Sequence, residues 1–123
     1  MTRILIIDDN PSDVSIMDDI LTRAGYITGS RPDGIHILDY LRDNRPDIIM
    51  LDLVMPKLNG IEILREIKRE YPDIPVLMCS AAGLEQVVAL AIRVGASGYV
   101  IKPYQEEELL EQIAKASHEK HKG

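Results

Sequence analysis

RILIIDDNPSD, residues 3–13, runs an apolar segment directly into two adjacent acids. Ile4, Leu5, Ile6 and Ile7 leave no polar face, the pattern of a strand covered on both sides rather than one half in water. A buried strand that ends in Asp8 and Asp9 carries two carboxylates to the rim of a sheet. The rest of the chain repeats this unit. DIIMLD (47–52) is a second nearly continuous apolar run, IPVLMCS (74–80) a third and GYVI (98–101) a short fourth. YITGSR (26–31) is the weakest strand; with Gly29 inside it and Pro32 beyond, it suits a sheet edge.

Helical spacing fills the intervals. Val14, Met17, Leu21 and Ala24 recur at three- and four-residue steps, as do Ile61, Leu64 and Ile67, and later Leu109 or Leu110 with Ile113. Ser12 is placed to cap the first helix after Pro11, and Gly25 to end it. The second helix is expected around 33–43, using Ile35, Ile37, Leu38 and Leu41, and the fourth from about Leu84 to Val94. Pro46, Pro72 and Pro75 fall in connections. Five strands alternating with five helices imply an α/β fold: a mostly parallel, doubly wound sheet with right-handed crossovers and helices on both faces. Ligands bind such sheets outside the carboxyl ends of the strands.

Composition narrows the function. The 123 residues are 46% hydrophobic and 28% charged, which suits one globular domain. A net charge of -6 argues against direct nucleic-acid binding, which needs a concentrated basic surface. The single cysteine, Cys79, permits no intramolecular disulfide and reads as a core residue. MTRILIIDD lacks the parts of a signal peptide, and no apolar run approaches the roughly 18 to 20 residues that span a bilayer. A soluble cytoplasmic protein is expected.

Asp8, Asp9 and Asp52 should meet at one edge. Carboxylates this close must share a proton or hold a cation, and a hard dication with oxygen ligands is the simpler resolution. Alone, the first two acids would serve equally well to cap the next helix. Ser80 and Lys102 bring a hydroxyl and an ammonium to the same rim, the donors that a phosphoryl group on a central carboxylate needs.

ILIIDDN (4–10), DIIMLDLVMPKLNGIEILREIK (47–68), PVLMCSAA (75–82) and GASGYVIKPY (95–104) together resemble the response-regulator receiver domains of two-component signalling. The likeness runs from Arg3 to about Ser117, giving a receiver domain over 1–117 and a polar tail over 118–123 that is expected to fray. It implies a flavodoxin-like (βα)5 fold with strand order 2-1-3-4-5. It also implies that Asp52 accepts the phosphoryl group and that Asp9 binds Mg²⁺ directly, Mn²⁺ being a possible substitute. Asp8 would act mainly through water, and Val54 would offer its backbone carbonyl to the metal. By the same resemblance, Lys102 would pair with Asp52 or its phosphoryl group, Ser80 would be the switch hydroxyl, Tyr99 the switch aromatic, and Lys102-Pro103 the cis peptide.

The implied partners are a histidine kinase or histidine phosphotransfer protein upstream. Downstream stands a protein target, or a second copy, on the face of the fourth helix, fifth strand and fifth helix. Such a domain catalyses its own phosphorylation and dephosphorylation but is chiefly a switch. Docking of the kinase is expected on the first helix and the loop after the fifth strand, with charges such as Asp13 or Arg23. Val54 and Ala82, two residues past Asp52 and Ser80, cannot hold a hydrolytic water by hydrogen bonding, so the phosphorylated state is not expected to be especially short-lived.

The fourth helix reads as a core stripe of Leu84, Val87, Val88, Ala91 and Val94, with Leu90 and Ile92 at its margins, either widening the stripe or extending a partner surface. His36 is expected on a solvated helix face. His118 and His121 are too few for a zinc site. A flavin or nucleotide binder would want a Gly/Ser/Thr-rich loop where DDNPSD stands. Two competing functions would use the same fold: a receiver-like interaction module that does not use phosphate, and a phosphohydrolase with an acyl phosphate intermediate. EEELLEQIAKASHEKHKG contains no output domain, so the chain is expected either to act as a diffusible messenger or relay intermediate or to be a unit of a larger protein.

Overall fold

The computed structural model describes the backbone of residues 1–55 and 59–122, with side chains through His118. His121 therefore falls outside the described side chains, as do Pro56 to Leu58 of the matching stretch. In chain order the elements are β1 (Arg3–Ile7), α1 (Pro11–Arg23), β2 (Ile27–Arg31), α2 (Ile37–Asp43), β3 (Ile48–Asp52), α3 (Gly60–Glu70), β4 (Val76–Ala81), α4 (Glu85–Val94), β5 (Gly98–Lys102) and α5 (Glu106–Lys122). The strands pair in parallel in the order β2-β1-β3-β4-β5. This is the flavodoxin-like arrangement.

Alternation along the buried strands sorts the core into two layers. Leu5, Ile7, Ile49, Leu51, Val76 and Met78 face one way, with Ile37 and Leu41 of α2, Ile63, Leu64 and Ile67 of α3, and Val88 and Ala91 of α4. Ile4, Ile6, Ile48, Met50, Leu77, Cys79 and Val100 face the other way, against Met17, Ile20 and Leu21 of α1 and Leu109, Ile113 and Ala116 of α5. Side chains two apart share a face. The second layer therefore extends in register from Ile6 to Asp8, from Met50 to Asp52 and from Val100 to Lys102, which brings one polar residue from each of three strands to the α1 side of the sheet edge.

Several boundaries differ from the sequence expectation, each for a local reason. Asn10, not Ser12, caps α1: its Oδ1 accepts from the backbone N–H groups of Ser12 at 2.9 Å and Asp13 at 3.1 Å, with Pro11 in the first turn, where its missing N–H costs nothing. α2 starts only at Ile37. The residues before it are a turn, in which Asp33 Oδ1 accepts from Ile35 N–H at 2.9 Å and His36 takes φ 56, so His36 is exposed ahead of the helix rather than on its face. β4 starts at Val76 because Pro75 has no N–H for the ladder and supplies only its carbonyl, to Ile49. Val87 is not core: it is 37% exposed, while Val88 and Ala91 one turn apart carry the buried seam. Backbone helix continues to Lys122 through most of the expected polar tail, whose Glu and Lys residues are good helix formers. No helix among the described residues is long and apolar enough to cross a membrane.

Candidate functional site

At the carboxyl edge, the chain leaves β1 through Asp8, leaves β3 through Asp52 and ends β5 at Lys102. Asp8 N–H still continues the ladder to Arg31 O at 3.1 Å, so the first carboxylate is anchored by its own backbone. Asp8 and Asp52 are buried, 4% and 6% exposed, whereas Asp9 is exposed. One carboxylate oxygen from each of the three lies within 4.8 Å of the others. Lys102 Nζ reaches into this cluster. It donates to Asp8 Oδ2 at 3.0 Å and to Asp13 Oδ2 at 2.9 Å, and lies 3.2 Å from Asp52 Oδ1.

The backbone around Asp52 is tightly fixed. Leu53 N–H donates to Cys79 O at 2.9 Å, and Gly60 N–H donates to Leu53 O at 2.9 Å. A Cβ on Gly60 would lie 2.5 Å from Asp52 O and 2.9 Å from Leu53 Cα, so only glycine lets the start of α3 approach the acid this closely. Asn59 caps that helix by accepting from Glu62 N–H at 2.9 Å.

Electrostatics follow from the crowding. Burial first, and then the Asp8 charge, push the Asp52 carboxyl up from 3.8 to about 6, with Lys102 pulling the other way and Asp9 adding to the rise. Burial alone would lower Lys102, but hydrogen bonds to Asp13 and Asp8 and the Asp52 and Asp8 charges outweigh it and hold the ammonium above its ordinary range. Three carboxylates, Asp8, Asp13 and Asp52, thus surround one cation, and Asp9 adds a fourth acid to the same edge. The excess negative charge, built entirely from hard oxygen donors, fits a dication. Burial pushes the neighbouring Cys79 thiol up to about 12, which removes it as a nucleophile at neutral pH.

Ser80 sits beside the cluster, 2% exposed, with its Oγ donating to Ala81 O at 2.9 Å. Asp9, Asn10, Asp13, Asp52, Ser80 and Lys102 line one open cleft of about 390 Å³, with Val54 and Leu84 on its wall. Val54 projects its side chain into solvent at 64% exposure. The Lys102-Pro103 peptide is cis. Tyr99 stands apart from these residues, 44% exposed on the edge strand β5. Asp13 is the residue whose place sequence reasoning missed: it was expected among surface docking charges, and it lies on Lys102. The available signal was its position in the first turn of α1, directly after a loop that ends β1.

Comparison with known proteins agrees with this architecture. The response regulator receiver domain family matches residues 4–114. The chemotaxis protein CheY of Thermotoga maritima is 34% identical over 116 residues, covering 94% of this chain and 97% of that protein. The transcriptional regulatory protein BaeR of Escherichia coli is 36% identical over 111 residues, 90% of this chain but 46% of BaeR. The crystal structure of a response regulator receiver domain protein from Clostridium thermocellum superposes with a TM-score of 0.90 at 29% identity, covering 98% of both chains. With the sheet order, the acidic rim and these similarities all in agreement, the chain belongs to the response regulator receiver domain family.

Proposed function

We propose that this receiver domain is a phosphorylation-driven switch in which Asp52 accepts a phosphoryl group from a histidine kinase or histidine phosphotransfer protein. The supporting observation is the placement of Asp52: buried, 3.2 Å from the Lys102 ammonium and within 4.8 Å of two further carboxylates. An Asp52 carboxylate oxygen attacks phosphorus, the bond from phosphorus to the donor's imidazole nitrogen breaks, and that nitrogen keeps the electron pair and takes a proton. Lys102 faces the charge that develops on the transferring oxygens, and Ser80 offers a hydroxyl from the lining of the same cleft. Mg²⁺, or Mn²⁺ in its place, held by Asp8, Asp9, Asp52 and the Val54 carbonyl, would supply the positive charge that the acidic rim lacks.

Phosphorylation adds roughly one and a half to two negative charges near neutral pH. In the switch, Ser80 Oγ leaves Ala81 O for a phosphoryl oxygen, and Tyr99 turns in from its exposed position. The face of α4, β5 and α5 then changes shape for a protein target or a second copy. The cytoplasm is the compartment we assign, in keeping with the free Cys79. In this reading the phosphorylated state is not especially short-lived, because Val54 and Ala82 offer water no hydrogen bond; Val54→Asn with Ala82→Glu is expected to speed dephosphorylation, and an unchanged rate would count against that role.

Intact mass after incubation with acetyl phosphate and Mg²⁺ tests the central step. One added phosphoryl group that disappears in Asp52→Asn and in a metal-free control is the expected result. No adduct from acetyl phosphate or from a phosphorylated histidine donor, under a fast quench, would favour an interaction module that does not use phosphate.

A further inference from the structure

The loop between β1 and α1 forms a closed ring with Lys102. Asp8 Oδ1 accepts from Asn10 N–H at 2.9 Å, Asn10 Oδ1 accepts from Asp13 N–H at 3.1 Å, and Asp13 Oδ2 and Asp8 Oδ2 both accept from Lys102 Nζ, at 2.9 and 3.0 Å. An ammonium has three hydrogens to donate, and here three carboxylates surround it. Two of those, Asp8 and Asp52, belong to the acidic trio that fits a dication; Asp13 does not. A cation on the trio competes with Lys102 for two of its three partners and leaves the third untouched.

We propose that Asp13 is a positioning residue: it holds the Lys102 ammonium in the cleft when Asp8 and Asp52 are engaged elsewhere. The inference rests on the reading of Asp52 as phosphoryl acceptor. Its physical basis is the rigidity of the Asp13 backbone, which lies in the first turn of α1 under the Asn10 cap and after Pro11. Asp13 is also partly buried, with its side chain 27% exposed, so its contact with Lys102 is less screened than a surface pair. Asp13 touches neither donor nor metal in this role; it acts through Lys102. A purely electrostatic role makes the opposite forecast, because removing a negative charge from the cleft should ease entry of an anionic phosphodonor and raise the rate.

Two readouts separate these cases in Asp13→Ala and Asp13→Asn, each checked for cooperative thermal unfolding. The first is the rate of Asp52 phosphorylation by acetyl phosphate at saturating Mg²⁺. Asp13→Ala is expected to slow it about tenfold through lost orientation of Lys102, with Asp13→Asn, which keeps an acceptor oxygen, in between. The second is the ¹⁵N-¹H signal of the Lys102 ammonium at low temperature in the Mg²⁺-loaded protein, assigned by its loss in Lys102→Arg. It should be visible in the native chain and broadened away in Asp13→Ala. An equal or faster rate in Asp13→Ala, or an unchanged ammonium signal, overturns the assignment. If the native protein takes no phosphoryl group, the acceptor reading fails on that result, and the ammonium signal still decides whether Asp13 holds Lys102. Should Asp13→Ala not fold, Asp13→Ser gives the same comparison with a side chain suited to the first turn of a helix.

Discussion

The acidic edge and the α4 face carry opposite burdens. At the edge, Asp8, Asp52 and Ser80 are buried polar groups, and each has partners within hydrogen-bond or ion-pair distance. On α4 and β5, Val87, Leu90, Ile92 and Tyr99 are apolar or aromatic groups left 37 to 44% exposed. One region keeps charge out of water, and the other keeps hydrocarbon in it. Both are unfavourable for a free domain, and both become favourable once something binds: a cation or phosphoryl group at the edge, a protein surface on the face. The contrast teaches where strain should appear on mutation. Changes at the edge should move stability, whereas changes on the face should move association.

Gly60→Ala should have the largest effect on stability. Its new Cβ would meet backbone on two sides, Asp52 O at 2.5 Å and Leu53 Cα at 2.9 Å, and backbone cannot yield as a side-chain tip does. A loss of about 2–4 kcal/mol is expected in urea unfolding. A loss below about 1 kcal/mol would show that the β3–α3 junction is looser than its hydrogen bonds indicate.

Asp52→Asn should act in the other direction when no metal is present. The native carboxyl titrates near 6 against 3.8 for the unconstrained group, so its ionised form is disfavoured by folding. Above pH 6 that penalty is present in full. It fades as pH falls through 6 toward 4, where the folded state takes up its proton first. Asp52→Asn should therefore stabilise the metal-free protein by about 1–3 kcal/mol at pH 7.5, with the gain vanishing by about pH 4. Lys102 keeps Asp8 and Asp13 in this variant, so no cation is stranded. A destabilised variant at pH 7.5 would mean that the pair with Lys102 outweighs burial and repulsion.

Metal addition sharpens the same point. Mg²⁺ at a hundred times its dissociation constant should stabilise the native chain by about 2.7 kcal/mol, the amount mass action gives for any ligand that binds only the folded state. That increment should shrink below pH 6 as Asp52 protonates, and shrink in Asp52→Asn at every pH. Equal stabilisation of both chains would place the ion away from Asp52.

The two regions were also unequally legible in the sequence. Ile4 to Ile7 and Ile48 to Leu51 are unbroken apolar runs because both faces of those strands are covered, so the sheet and its acidic rim could be read one strand at a time. The α4 face could not. Helical spacing placed Val87 in the stripe with Val88, yet the two are about a hundred degrees apart, and only packing against α3 and the sheet decides that Val88 and Ala91 point inward. Asp13 was obscured for another reason. Nothing local distinguishes an acid that favours a helix N-terminus from one that also receives an ammonium from a strand 89 residues away. Cap choice at Asn10 turned on a similar subtlety, since Asn and Ser are comparable caps and Pro11 favours the first turn.

The smallest stability effect is expected on α4. Leu90 is 40% exposed and lies with Val87 along a groove of about 340 Å³ shared with Ile61, Glu62 and Arg65 of α3. Replacing it with glutamate places charge where water already reaches, so unfolding free energy should change by no more than about 0.5 kcal/mol. Association is the quantity that should move. If the exposed apolar residues serve a protein surface, Leu90→Glu should weaken dimerisation or partner binding in the phosphorylated state while leaving the rate of Asp52 phosphorylation unchanged. Light scattering of native and Leu90→Glu chains, each before and after acetyl phosphate, reads the dimer directly. A stability loss well beyond about 0.5 kcal/mol would instead assign Leu90 to the margin of the core, and the α4 face would then owe its apolar character to packing rather than to a partner.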